Sequence, residues 1–225
     1  MTVKTRSVAE RTGAGLEPLG AANLAGEQIF ADQLLQWTLE GRCFTASIEY
    51  EVDSDAGSTD HDDLVHDYVL QSDIPGTKLI VPISTEICLK TTGGDGRINV
   101  SVEFNRPTND TATLKAITVG TAMRVHNNRG DGYGTHTAIA AYNCTCTALT
   151  ATEMVEIAKF TCSRDAIAST AVSIYDLSYT INHFRNAPII LQKGAALSTH
   201  AWGGTAPVYR VSFQWAELDA ATYLP

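Results

Sequence analysis

The densest concentration of chemistry-bearing side chains lies between Asp53 and Asp67. Six carboxylates and two imidazoles (Asp53, Asp55, Asp60, His61, Asp62, Asp63, His66 and Asp67) fall within fifteen residues. Clustered oxygen ligands suit calcium, and convergent carboxylates would suit a hydrolase built on a β scaffold. The opening, Asp53-Ser54-Asp55-Ala56-Gly57, is similar to the start of a calcium loop. Its glycine comes one place early, and Leu64 stands where the closing glutamate belongs. His61 and His66 are five apart, a poor spacing for zinc ligands on one helical face. The segment therefore reads as a polar surface loop between strands that holds no metal tightly.

The remaining constellations are weaker. In Cys144-Thr145-Cys146 both thiols face one side of a strand, with α-carbons roughly 6.5–7 Å apart, too far for an easy bridge. With Cys43, Cys88 and Cys162 they read as free thiols that pack as small apolar groups. No nucleophile elbow, Walker loop, dinucleotide fingerprint or His-Glu-x-x-His helix occurs. Gly93-Gly94-Asp95-Gly96 is read as a tight reversal joining two strands, so no helix N-terminus is there to take a phosphate. Glu49, Glu51, Glu86 and Glu103 fall on the polar faces of expected strands. Arg129-Gly130-Asp131, the integrin tripeptide, sits between Asn127-Asn128 and Gly132-Tyr133-Gly134 and reads as an ordinary turn. Trp202 and Tyr133, in glycine-rich stretches, are candidates to stack on a sugar or a neighbouring subunit, with local packing the expected role. No catalytic, cofactor-binding or metal-binding residue is assigned, and the expectation is a protein without enzymatic activity or cofactor.

The elements that position these residues are strands. From Arg42 onward the hydropathy alternates with period two. Phe44, Ala46, Ile48, Tyr50 and Val52 oppose Cys43, Thr45, Ser47, Glu49 and Glu51. Ile98, Val100, Val102 and Phe104 form a second inward series, and Tyr209, Val211, Phe213 and Trp215 a third. Further strands are expected over Lys78–Lys90, Ala112–His126, Thr135–Leu149, Met154–Ser163 and Ser169–Phe184, rich in Thr, Val and Ile, with a short ninth at Pro188–Gln192. Pro82 should start its strand late, bulge it or place it at an edge. A second bulge is expected near Tyr175 and Asp176. Phe44, Ile48, Val100, Val102, Phe104, Val211, Phe213 and Trp215 should share one core. About eight strands with no long helix predict an all-β, antiparallel β-sandwich, a single jelly roll.

Before that domain, residues 1 to about 27 are rich in Gly, Ala and Glu and read as an extended arm. Leu16, Leu19, Leu24 and Ile29 are its separated apolar anchors. One or two helical turns are expected within Ala31–Leu39. The domain division is an arm over 1–41 and a single β-sandwich over 42–225.

Composition bounds the partners. The 225 residues are 44% hydrophobic and 18% charged, enough apolar content for one good-sized core. The net charge of −9, with no cluster of Lys and Arg, argues against direct contact with nucleic acid or an anionic membrane. The start, Met1 to Arg6, lacks an apolar run after its basic residues, so a secretory signal is not expected. Free thiols then fit a reducing cytoplasm, and the sequons at Asn99, Asn109 and Asn143 read as chance.

Taken together, a flexible arm, one Thr/Ala/Val/Ile-rich β domain, long polar loops and no reaction motif resemble a viral or bacteriophage virion protein of jelly-roll, capsid-like type. The resemblance is one of overall style. It implies a structural component of a virus particle, a capsid, decoration or fibre subunit, that self-assembles as a homo-oligomer with other virion proteins in the host cytoplasm. Capsid arms that line a genome are often basic, whereas Lys4, Arg6 and Arg11 are offset here by Glu10 and Glu17. The alternative reading is a ligand-binding β-sandwich such as a carbohydrate-binding module, with Trp202, Tyr133 or Trp37 as stacking platforms.

Overall fold

The computed structural model describes residues 21–22, 28–29, 33–48, 55–57, 65–72, 76–91, 97–105, 117–118, 120–132, 134–146, 154–163, 178–184, 188–203 and 207–223. The ten strands longer than two residues are β1 (Cys43–Ser47), β2 (Val65–Gln71), β3 (Lys78–Thr91), β4 (Arg97–Asn105), β5 (Arg124–Asn127), β6 (Ile139–Cys146), β7 (Met154–Ser163), β8 (Ser178–Asn182), β9 (Ala196–Trp202) and β10 (Val208–Asp219). Two short helices accompany them, α1 (Gln33–Leu39) and α2 (Ala220–Tyr223).

The strands form two antiparallel sheets. The first runs β5-β1-β10-β3-β8; the second runs β7-β4-β9-β2-β6 and ends on the two-residue Ile117–Thr118. Leaving aside β5 and β6, the pairing is nested first with last: β1 with β10, β2 with β9, β3 with β8 and β4 with β7. That nesting is the winding of an eight-stranded jelly roll, which hides most strand edges by wrapping an antiparallel ribbon into two sheets. β5 and β6 belong to an insertion between β4 and β7. They extend the two sheets at one flank, against β1 and β2.

Alternation supplies the core. Phe44, Ala46, Val100, Val102, Val211, Phe213 and Trp215 are buried together with Tyr68, Leu70, Ile80, Ile87, Leu197 and Tyr209, and Ile48 packs against them. The Phe104 side chain lies outside the described residues. Phe44 stacks on Trp215 at 5.8 Å, and Tyr68 meets Tyr209 edge to face at 5.1 Å. Each such burial contributes about 1.5–3 kcal/mol. A second apolar cluster covers the opposite face of the first sheet, where Trp37 of α1 joins Cys43, Leu79, Val81, Ala216 and Leu218.

Several sequence expectations change. Residues 65–67, expected within a surface loop, are part of β2, where His66 and Asp67 are buried; Asp55–Ala56 pairs with Val208–Tyr209, and residues 58–64 lie outside the described ones. Ala112–His126 is not one strand. Ile117–Thr118 and Thr121–Ala122 pair with β6 in the second sheet, and β5 then pairs with β1 in the first. The change of sheet falls at Met123; Gly120 separates the two short strands, and a β-carbon there would collide with the carbonyl oxygens of Tyr142 and Asn143. The strand expected from Thr135 begins only at Ile139, because the amides of Thr137 and Ala138 bond a side chain instead of a strand; residues 147–149 lie outside the described ones. The tight reversal expected at Gly93–Gly96 lies outside the described residues, but the strands it connects, β3 and β4, lie in different sheets and form no hairpin. Pro188–Gln192 reduces to one bridge between Leu191 and Ile80. β9 was not anticipated at all.

Other expectations hold. Pro82 sits at a register shift opposite Gln214 and Trp215, as a residue without an N–H should. β7 matches its expected limits, and α1 falls inside Ala31–Leu39. The bulge expected near Tyr175 and Asp176, and the arm up to residue 20, lie outside the described residues.

Candidate functional site

The polar side chains that the fold brings together gather where β2, β9 and β10 meet. The ladder between β2 and β9 runs from Gln71–Ala196 to Tyr68–Thr199. The next residues in line, Asp67 and His200, do not pair through their backbones. The Asp67 carboxylate fills the gap: its Oδ2 accepts the Ala201 N–H at 2.8 Å, replacing a ladder bond. The same oxygen accepts the Tyr209 hydroxyl at 2.7 Å from the opposite sheet. Tyr68 adds a second crossing, donating its hydroxyl to the Tyr209 carbonyl at 2.7 Å. Thr199 Oγ1 lies 3.3 Å from the Tyr209 hydroxyl oxygen, and because that proton goes to Asp67, Thr199 is the donor.

Burial, reinforced by the Asp67 carboxylate beside it, holds the Tyr209 phenol well above its usual range. It therefore stays a protonated donor. His200 Nδ1 lies 3.7 Å from Asp67 Oδ1, with both side chains almost wholly buried. On its other side His200 stacks on Trp202 at 5.7 Å, and Lys159 Nζ sits 5.1 Å from the Trp202 ring centre. The arrangement ties the two sheets through one buried carboxylate. A buried carboxylate oxygen that accepts from both sheets favours the one packing in which its two donors meet.

A second buried carboxylate does the same for the insertion. Glu217, near the end of β10, accepts the Thr137 N–H (3.0 and 2.9 Å), the Thr137 hydroxyl (2.9 Å), the Ala138 N–H (3.0 Å) and the Trp215 indole N–H (3.0 Å). His183, following β8, has its Nε2 2.8 Å from Thr85 Oγ1, and burial pushes its pKa down to about 4.

The residues singled out by chemistry in the sequence are dispersed. Of the 53–67 cluster, only Asp67 and His66 have side chains among the described residues, and Asp67 serves the tie between sheets. Cys43 and Cys144 are buried, as expected of small apolar groups, and Cys43, Cys88 and Cys144 form no disulfide. Burial raises the Cys43 thiol pKa. Among the described residues no three His, Cys, Asp or Glu side chains gather as a metal site, and no helix is long and apolar enough to cross a membrane. Arg129-Gly130-Asp131 is an exposed turn. Asn127 Oδ1 accepts the Arg129 N–H, Gly130 takes positive φ, and Arg129 Nε pairs with Asp131 Oδ2 at 2.9 Å. Trp37 is buried against Phe184, and Trp202 lies at the end of β9 with His200 and Lys159 against its ring; neither is an open stacking platform. Tyr133 lies outside the described residues.

Asp67, His200, Tyr209 and Glu217 were not recognised from sequence as a set. The available signal was local: charged residues set in otherwise strand-forming runs, as in Val65-His66-Asp67-Tyr68-Val69-Leu70 and Trp215-Ala216-Glu217-Leu218. Comparisons with protein-family models, curated proteins and solved structures return no match.

Proposed function

We propose that this chain is a structural subunit of a virus particle, a capsid, decoration or fibre subunit that acts by self-assembly in the host cytoplasm and catalyses no reaction. The observation that carries the reading is the jelly-roll winding around an interior filled by Phe44, Tyr68, Tyr209, Phe213 and Trp215. Virus capsids, lectins and cupins share this architecture, and a filled interior suits a building block. The acidic balance of the chain, −9 overall, fits contacts with protein neighbours over contacts with a phosphate backbone. A fold alone carries no function, so the test is assembly itself. Light scattering and electron microscopy of the purified full chain should show large particles of uniform size. A compact monomer at all concentrations would overturn the reading and favour a ligand-binding β-sandwich.

A further inference from the structure

The two flanks of the jelly roll are finished differently. On one, β5 and β6 of the insertion extend both sheets. On the other, the second sheet ends at β7, and among the described residues the outer edge of this ten-residue strand pairs with no other. Val155 is 42% exposed there, and the side chains of Glu156 and Lys159 are each about half exposed.

A bulge gives this edge its pattern. Glu156 pairs with Glu103 and Ala158 with Val102, leaving Ile157 as the extra residue. Residues three apart on a regular strand point to opposite faces. The extra residue brings Glu156 and Lys159 onto one face, where they form an ion pair at 3.7 Å. In register they stand one step either side of Ala158, and Val155 and Phe160 stand two steps either side.

The sequence of the edge is therefore complementary to itself when reversed. We infer that β7 is the contact by which a second copy of this chain adds, antiparallel and about a two-fold axis at Ala158; this rests on the self-assembly proposed above. Glu156 of each copy then faces Lys159 of the other, Val155 faces Phe160, and the small Ala158 residues meet on the axis. Such an isologous contact closes by symmetry. Opposite charges directly across a strand pair stabilise it and like charges oppose it. An unmatched Lys and a bulge discourage pairing with any other strand, so the same features that guard the edge select this one partner and register.

The test is sedimentation velocity on the full chain. The wild type should associate, Lys159→Glu and Glu156→Lys should each raise the dissociation constant at least about tenfold, and the double charge swap should restore association. Both side chains are half exposed, so the variants should fold. Independently, Ala158→Cys should give a disulfide-linked dimer under mild oxidation, since residues facing each other across a ladder meet the α-carbon spacing of a disulfide. If the wild type assembles but neither single variant weakens it, or Ala158→Cys gives no linked dimer, the β7 contact is wrong while self-assembly stands. If the wild type stays monomeric, both readings fail.

Discussion

Replacing Glu217 with alanine should destabilise the folded chain by about 4 kcal/mol. Four donors converge on its carboxylate: the Thr137 N–H and hydroxyl, the Ala138 N–H and the Trp215 indole N–H. The Glu217 residue is only 5% exposed. Each buried donor left without an acceptor costs about 1–3 kcal/mol. Water entering from the Thr137 side, which is only partly buried, offsets some of this, so the low end of that range applies to each of the four. Glu217→Gln keeps the shape and one acceptor oxygen but turns an NH2 group towards donors; about half the loss is expected. Urea unfolding of the two variants measures the difference, and hydrogen exchange locates it, with the Thr137 and Ala138 amides losing protection first. If Glu217→Ala unfolds within about 0.5 kcal/mol of wild type, the range of an ordinary surface change, the clamp contributes nothing and the argument is refuted.

Acid should weaken the fold through His183, whose folded pKa of about 4 lies below the ordinary 6.5. The unfolded chain then binds its proton first, so stability is unaffected above about pH 6.5 and falls between there and pH 4, by an amount on the order of 3 kcal/mol. His183→Asn should flatten that part of the stability–pH curve, and an unchanged slope would count against the assignment. Phe213→Ala should cost about 3–5 kcal/mol by chemical denaturation, since Phe213 is wholly buried between the sheets; a loss below about 1 kcal/mol would contradict that packing. Tyr209→Phe should cost about 1–3 kcal/mol by removing a donor from the buried Asp67 carboxylate, and spectrophotometric titration of the wild type should show one tyrosine that ionises only on unfolding. Deleting residues 1–27 should leave a folded β domain but weaken assembly, because a chain segment with few apolar anchors orders mainly against a neighbour; a deletion variant that assembles like wild type would remove the arm from the contact.

Alternation with period two was enough to establish the class of fold and much of the core. A strand with one buried face must place every second side chain inward, so Phe44, Val100, Val102, Val211, Phe213 and Trp215 declared themselves in the sequence. Pro82 likewise announced its bulge, because its missing N–H is a property of the residue itself. The strands that escaped notice, β2 and β9, lack that alternation. Val69, Ala141 and Cys144 form a buried cluster with Ala196 apart from the main core, and Ser101, Ser198 and His200 are buried too. With both faces covered, polar and small residues no longer mark solvent. The candidate functional groups were hidden for a related reason. Asp67, His200 and Tyr209 are separated by 142 residues of chain at the widest, and Glu217 meets Thr137 across 80. Their meeting depends on which strand pairs with which, and pairing is decided by the winding of the whole sandwich. Local residue types therefore determined the alternating strands and their inward faces. The nested order of those strands, the two buried carboxylate clamps and the place of β7 at the end of its sheet among the described residues were decided only when the two sheets closed on each other.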